Sequence, residues 1–316
     1  EIDPAKHIAK LEGYLYQFED LYITSPIPFV DLYSKMREKG VKVTLDGHGA
    51  DELFGGYGFD YLHIIHDELF NPKAIKQVVD TYYDSQIIDS QFKRMPKWLF
   101  TAKQIAKNAA KRILRRKNHS KHENHPAWKA MDYFTQKLYI SSHETVLPTL
   151  LRNYDRYSMI NGVEIRMPFM DHRIVTYALS LPWQSKIRQG FTKAIIRDAV
   201  ASFVPHEIAY RKTKVGLNSP FTSWAQGPLR EFLTKTVNSE NFLKSAFINP
   251  SEVKAKAETL LANPKPTFGE GEGVWIAMLP YFWEQSFLKK ANEIRNHIRP
   301  QASAQSGAQS ELHSNA

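Results

Sequence analysis

Val41 to Leu45 alternates apolar and polar residues, a period of two that predicts a short buried strand. Leu99, Ala102, Ala106, Ala109 and Ile113 recur at helical spacing and predict an amphipathic helix with a cationic face. Phe191 to Val200, after Gly190, is expected to be helical, with Ala194, Ile195, Ala199 and Val200 toward a core and Pro205 closing the run. A longer aromatic-rich helix is expected over 274–298, with Trp275, Leu279, Phe282, Trp283 and Phe287 at packing intervals. Before it, Asn263-Pro264-Lys265-Pro266 and Gly269-Glu270-Gly271-Glu272-Gly273 read as a loop. The tail, 299–316, is rich in Ser, Gln and Ala without an apolar period and is expected to be disordered.

The strand at Val41 to Leu45 runs straight into Asp46-Gly47-His48-Gly49-Ala50-Asp51-Glu52-Leu53-Phe54-Gly55-Gly56-Tyr57. Four glycines thus surround an adjacent carboxylate pair at a strand's carboxyl end, where open α/β sheets bind ligands. Glycine lets backbone N–H groups approach an anion closely. Asp51 and Glu52 supply the hard oxygen ligands that Mg²⁺ takes when it also holds phosphate. The same residues also read as a glycine-rich turn followed by an acidic helix start, and on their own they leave both readings open.

A second stretch runs from Leu150-Leu151-Arg152-Asn153-Tyr154-Asp155-Arg156-Tyr157-Ser158-Met159 into Gly162-Val163-Glu164-Ile165-Arg166-Met167-Pro168-Phe169-Met170-Asp171. Together the two resemble the synthetase domain of the glutamine-dependent asparagine synthetase family. Its members typically read Ser-Gly-Glu-Gly-(Ala/Ser)-Asp-Glu at the first motif, then Asp-Arg-x-Ser-Met and Glu-Val-Arg-x-Pro-Phe-Leu-Asp at the second. A third match follows in order, Tyr210-Arg211-Lys212-Thr213-Lys214-Val215-Gly216-Leu217-Asn218-Ser219-Pro220 with Trp224, similar to the family's Arg-x-Lys-x-Gly-Phe-x-x-Pro segment.

The resemblance implies an α/β fold of the adenine nucleotide α-hydrolase-like type, a PP-loop ATP pyrophosphatase, mostly helical here and lacking its amino-terminal strands. It implies ATP and Mg²⁺ as cofactors, and amidation of a carboxylate, aspartate first, through an acyl-adenylate with release of pyrophosphate and AMP. Asp51 would be the Mg²⁺-pyrophosphate ligand, and Asp46, Gly47 and Gly49 would lie against the nucleotide. Lys214 would neutralise the transition state and the leaving pyrophosphate, with His48 and Glu52 as further catalytic groups. Asp46 stands where the family usually has serine and His48 where it usually has glutamate. A carboxylate at 46 repels phosphate unless a cation compensates, and a histidine at 48 either relays a proton or holds the loop by hydrogen bonds. Glu164 and Arg166 are expected to be a partly buried ion pair fixing a corner, with nucleotide contact as their other role. Asp155 and Arg156, with Met159 one turn on, are expected to be scaffold for the site wall.

The family's Ser-Gly-Gly-x-Asp-Ser loop does not occur in these residues, and the 316-residue chain has no cysteine to serve a glutaminase. The expectation is therefore a carboxyl-terminal part of a longer polypeptide, 1–298 being synthetase-like. An amino-terminal glutaminase domain that delivers ammonia from glutamine, and the first βα units, would lie upstream. Such a part alone should not bind ATP productively; a homodimer and a cytoplasmic location fit the family. Composition limits the alternatives: 42% hydrophobic residues can bury a sizeable core, and no apolar run is long enough to span a bilayer. Of the net charge of +9, eleven Lys or Arg fall between Lys93 and Lys121 with no acid, so the basicity is one helical insert over about 93–122. A solvated helix packed on the domain is the expected form of that insert. An anionic membrane surface, an acidic partner or RNA are its other readings. Two alternatives to aspartate amidation stay open. One is a related adenylating synthetase with another acceptor, as in β-lactam or peptide cyclisation or amidation of a surface-polysaccharide acid. The other is a non-catalytic scaffold binding through the basic helix.

Overall fold

The computed structural model describes residues 3–19, 27–87, 95–114, 120–214 and 219–313. The chain divides into two compact units, Met36–Leu217 and the pair of segments Glu1–Lys35 with Asn218–Ala316.

In the Met36–Leu217 unit, β1 (Val43–Leu45) pairs in parallel with β3 (Glu164–Arg166), Thr44 lying opposite Ile165. A second parallel pair joins β2 (Gln86–Ile87) to β4 (Thr213–Lys214). The predicted strand forms but is not buried, and Leu45 is 76% exposed. Among the described residues β1 has one strand neighbour, so the face carrying Val43 and Leu45, with Glu164 and Arg166 beside them, is open. Two capped helices frame the core of this unit. Pro72–Asp84 starts on Asn71, whose side chain accepts from the Ala74 amide, and Tyr133–His143 starts on Asp132, which accepts from Thr135. Their inner faces meet in a cluster of Ile64, Ile65, Val78, Val79, Phe134 and Leu138.

The basic insert is a helix over Lys97–Ile113, but it is turned the other way from the expected packing. It buries Phe100, Gln104 and Asn108, with Phe100 stacked on Tyr82 at 4.6 Å, whereas Leu99, Ala102, Ala106 and Ile113 face out. Phe100 decides this, because its ring fills the gap between Tyr82 and Tyr83. Lys93, Arg94, Arg115, Arg116 and Lys117 lie outside the described residues. The expected helix at 191–200 is shorter, Ala194–Val200, and Ala199 is exposed. Lys193 has a left-handed backbone (φ 54°), which no helix tolerates, so the helix begins only after it.

In the other unit, Leu11, Leu15, Leu229, Leu233, Phe242 and Val253 pack around Trp275, Met278, Leu279 and Phe282. Trp283 and Phe287, also expected at packing positions, are half-buried against each other at 4.4 Å. Their helix runs from Phe268 to His313, so the glycine run 269–273 is helical and not a loop. The reason is a reciprocal cap. The Thr267 amide donates to Glu270 Oε2 at 2.6 Å and the Glu270 amide to Thr267 Oγ1 at 3.3 Å. A Cβ on Gly271 would lie 2.0 Å from Thr222 Oγ1, so glycine there admits the Phe221–Gln226 helix. Gly271→Ala is accordingly expected to destabilise the protein by about 1–3 kcal/mol, read as a lower midpoint in denaturant at unchanged slope. The same helix continues past Pro300 to His313. No helix among the described residues is long and apolar enough to cross a membrane.

Candidate active site

The glycine-rich loop hangs from the carboxyl end of β1, anchored where the Asp46 amide donates to the Arg166 carbonyl at 2.8 Å. Space beside the Gly47 Cα is open. Gly49 turns the chain with φ +95°, and a Cβ there would lie 2.7 Å from Met170 Sδ. The short Ala50–Phe54 helix follows, held by the burial of Leu53 and Phe54 against Phe169 and Ala178. Thus the segment Glu164–Asp171 supports the first motif from below, Met170 under Gly49 and Phe169 against Phe54 at 6.2 Å.

Asp51 lies on the first turn of that helix, and its carboxylate meets Lys193 Nζ at 2.8 Å. Gly56 is pressed against it; a Cβ on Gly56 would fall 1.7 Å from Asp51 Oδ1. Glu52 points elsewhere. It is buried, and the Tyr57 hydroxyl donates to its Oε1 at 2.9 Å. Burial, and then the charges of Glu52 and Asp51, push the Tyr57 phenol well above its ordinary value. Glu52 is therefore placed to hold Tyr57 and the loop.

Asp46 and His48 form one pair, Oδ1 to Nδ1 at 2.8 Å, and the hydrogen bond from His48 holds the Asp46 carboxyl below its usual range. The imidazole also sits edge-on to Tyr154 at 4.2 Å, which brings the Val146–Met159 helix to the site. Burial, and then the Asp46 charge, push the Tyr154 phenol to about 12, so it stays a proton donor. On the same helix Asp155 is exposed, and Arg156 has a buried Nη1 with no hydrogen-bond partner among the described residues. Glu164 and Arg166 do pair, at 2.9 Å, but in the open rather than partly buried, both side chains being more than half exposed. They stand on the uncovered face of β3, where such a pair contributes little stability. An open cleft of about 560 Å³ lies beside them, walled by Arg166, Met170, Asp171 and Arg173.

Lys193, which lies where the sequence pattern predicts a helix, is the cation the structure brings to Asp51. The signal available was Gly190 followed by a lysine just before the helix start. Arg197 secures this turn, donating from Nε to the Thr192 carbonyl at 2.7 Å and from Nη1 to the Ala209 and Arg211 carbonyls at 2.8 and 3.0 Å. Lys214 is on β4, opposite Ile87; its side chain and Gly216 lie outside the described residues.

The sequence model of asparagine synthase matches residues 1–277. The chain belongs to the asparagine synthase family. It is 25% identical to glutamine-hydrolysing asparagine synthetase 1 of Bacillus subtilis over 92% of this chain and 47% of that protein. It is similarly related to the amidase chyE of Penicillium rubens, 24% identical over 92% of this chain and 50% of that protein. Against human asparagine synthetase the identity is 32%, over 29% of this chain and 17% of that one. The chain spans about half the length of the Bacillus and Penicillium relatives. The carboxylate of Asp46 would repel phosphate, and His48 Nδ1 lies 2.8 Å from it.

The donor set suits a nucleotide with Mg²⁺. No group of three or more metal-ligating side chains occurs among the described residues, but Mg²⁺ bound with phosphate needs only one or two carboxylates. Asp51 offers one, crowded onto Gly56 and already facing a cation, Lys193, which is a donor for anionic oxygens.

Proposed function

We propose that the chain is the synthetase part of an ATP-dependent ligase that converts a carboxylate, aspartate first, into its amide. The observation that carries this reading is the Asp51–Lys193 pair seated on Gly56 at the carboxyl end of a parallel strand pair. A substrate carboxylate oxygen attacks the α-phosphorus of ATP, the bond to the β-phosphate breaks, and pyrophosphate leaves. Ammonia then attacks the acyl carbon, AMP departs, and one proton of the attacking nitrogen must be taken away.

Asp46, Gly47 and Gly49 line the nucleotide, and Asp51 is the carboxylate for Mg²⁺, which when bound supplies positive charge to the phosphate oxygens. Lys193 and Lys214 hold the departing pyrophosphate as point charges on flexible stems. His48, oriented by Asp46, receives the proton from the attacking nitrogen. Arg166 with Glu164 lies at the rim of the cleft and contacts the acceptor or nucleotide. The PP-loop type of α/β fold is part of this reading and is supported by the parallel pairing of both strand pairs. Upstream strands, bearing the phosphate loop, cover the open face of β1 and β3, and an amino-terminal glutaminase domain delivers the ammonia. The enzyme works in the cytoplasm, as a homodimer, with small molecules and no nucleic acid as partners. A second reading, a different carboxylate acceptor, draws on the amidase among the relatives and on the Asp46–His48 replacement.

The test is pyrophosphate and AMP formation by the full-length polypeptide with ATP, Mg²⁺, ammonia or glutamine, and aspartate. Aspartate-dependent release is expected, with little from the 316 residues alone. Release only with other carboxylates would favour the second reading, and none with any carboxylate would overturn both.

A further inference from the structure

The Lys97–Ile113 helix packs Phe100 and Ile105 on the unit but leaves a second apolar face outside. It packs its polar Gln104 and Asn108 against the unit while Trp98, Leu99, Ile113 and Leu114 beside them are 72%, 43%, 79% and 64% exposed. At 100° per residue, Leu99, Ala102, Ala106 and Ile113 share an arc of about 60°, with Trp98 on one shoulder and Leu114 on the other. Lys103 and Lys107 flank Leu114 on that shoulder, and both are exposed. No acid occurs between Lys93 and Lys121. The nearest described carboxylate ion-paired with this helix, Asp80, is taken by Lys76 and Lys97. The outer face is thus an apolar strip edged by lysines that pair with no carboxylate among the described residues.

We infer that this face is a docking surface for an anionic lipid bilayer, the helix lying flat at the headgroup level. Charge complementarity selects the occupant together with the apolar strip. A bilayer interface takes Leu99, Ile113 and Leu114 into the acyl boundary while the lysine stems reach lipid phosphates. Trp98 has the amphipathic ring that favours the same depth. RNA would match the lysines but leave three aliphatic side chains in water, since strand binding rests on aromatic stacking and only Trp98 offers it. A protein hot spot gathers its anchors near one centre, whereas Trp98 and Ile113 stand at opposite ends of the helix, about 22 Å apart. With no helix long and apolar enough to cross a membrane among the described residues, the contact is peripheral. One helix gives reversible, salt-sensitive binding.

The experiment is co-sedimentation of the 316-residue chain with vesicles of phosphatidylcholine alone and of phosphatidylcholine with phosphatidylglycerol. The chain is expected to pellet with the anionic vesicles, to stay in solution with the neutral ones, and to be released by added salt. A double Lys103→Glu, Lys107→Glu variant should weaken partitioning about tenfold or more. A double Leu99→Ser, Ile113→Ser variant should do likewise. All four positions are exposed, so unfolding midpoints should stay unchanged and show that both variants fold. A blue shift of tryptophan emission on adding anionic vesicles, lost in Trp98→Phe, reports the same insertion from the ring itself. Equal partitioning to neutral vesicles, no partitioning, or unaltered partitioning of both variants would overturn the inference. So would capture by an RNA homopolymer or by polyglutamate without any vesicle binding.

Discussion

Asp51→Asn in the full-length polypeptide is expected to reduce pyrophosphate release by about 10²–10³-fold while leaving the fold intact. Asparagine keeps the size of the side chain and its fit on Gly56 but loses the charge that Lys193 meets at 2.8 Å and that a Mg²⁺-bound phosphate requires. Both members of the pair are partly exposed, so breaking it should cost under about 1 kcal/mol of stability. Lys193→Ala should likewise be folded and slow. The split between activity and stability is what identifies the role, because a purely structural pair would move both together or neither. If the two single variants and the double variant lose activity to a similar extent, the pair acts as a unit. Activity of Asp51→Asn within about tenfold of the parent would remove the pair from the mechanism.

The glycine loop was legible because its spacing follows from chain geometry: a strand must end before Gly47, and the positive φ at Gly49 and Gly55 admits few other residues. The family match over residues 1–277 agrees with the ordered motifs that pointed to it. What escaped the sequence was set by particular side-chain contacts that periodicity does not register. Lys193 reads as a helical lysine until the left-handed turn held by Arg197 is seen. Glu52 reads as a second ligand, yet Tyr57, five residues on, turns it inward. Periodicity located the Lys97–Ile113 helix but not its inner face, since the outward apolar strip is as regular as a buried one. The glycines before Trp275 read as a loop because their cap, Thr267 with Glu270, outweighs the poor helix propensity that the pattern registers.

Two groups three residues apart, buried Asp60 and half-buried His63, should contribute opposing limbs to this protein's stability profile in mild acid. Asp60 receives the Ser141 hydroxyl on both oxygens at 2.9 Å, and burial raises its carboxyl from the ordinary 3.8 to about 7 despite Lys137 nearby. His63 meets Lys111 Nζ at 3.0 Å, and burial, then Lys111 and Lys137, lower its imidazole from 6.5 to about 3. Between pH 4 and 7 the folded state holds a proton on Asp60 that the unfolded chain has released, so this group alone makes stability fall as pH rises. Between pH 3 and 6.5 the unfolded chain holds a proton on His63 that the folded state lacks, so this group alone makes stability rise with pH. Where the windows overlap the slopes cancel. Asp60→Asn is expected to uncover the histidine limb, losing up to about 3 kcal/mol as pH falls from 6.5 to 4. His63→Asn should show the opposite tilt relative to the parent, losing stability from pH 4 to 7, because the histidine no longer offsets Asp60. Denaturant unfolding at several pH values checks both signs. Parallel profiles for parent and variants would mean that neither group titrates as its surroundings require.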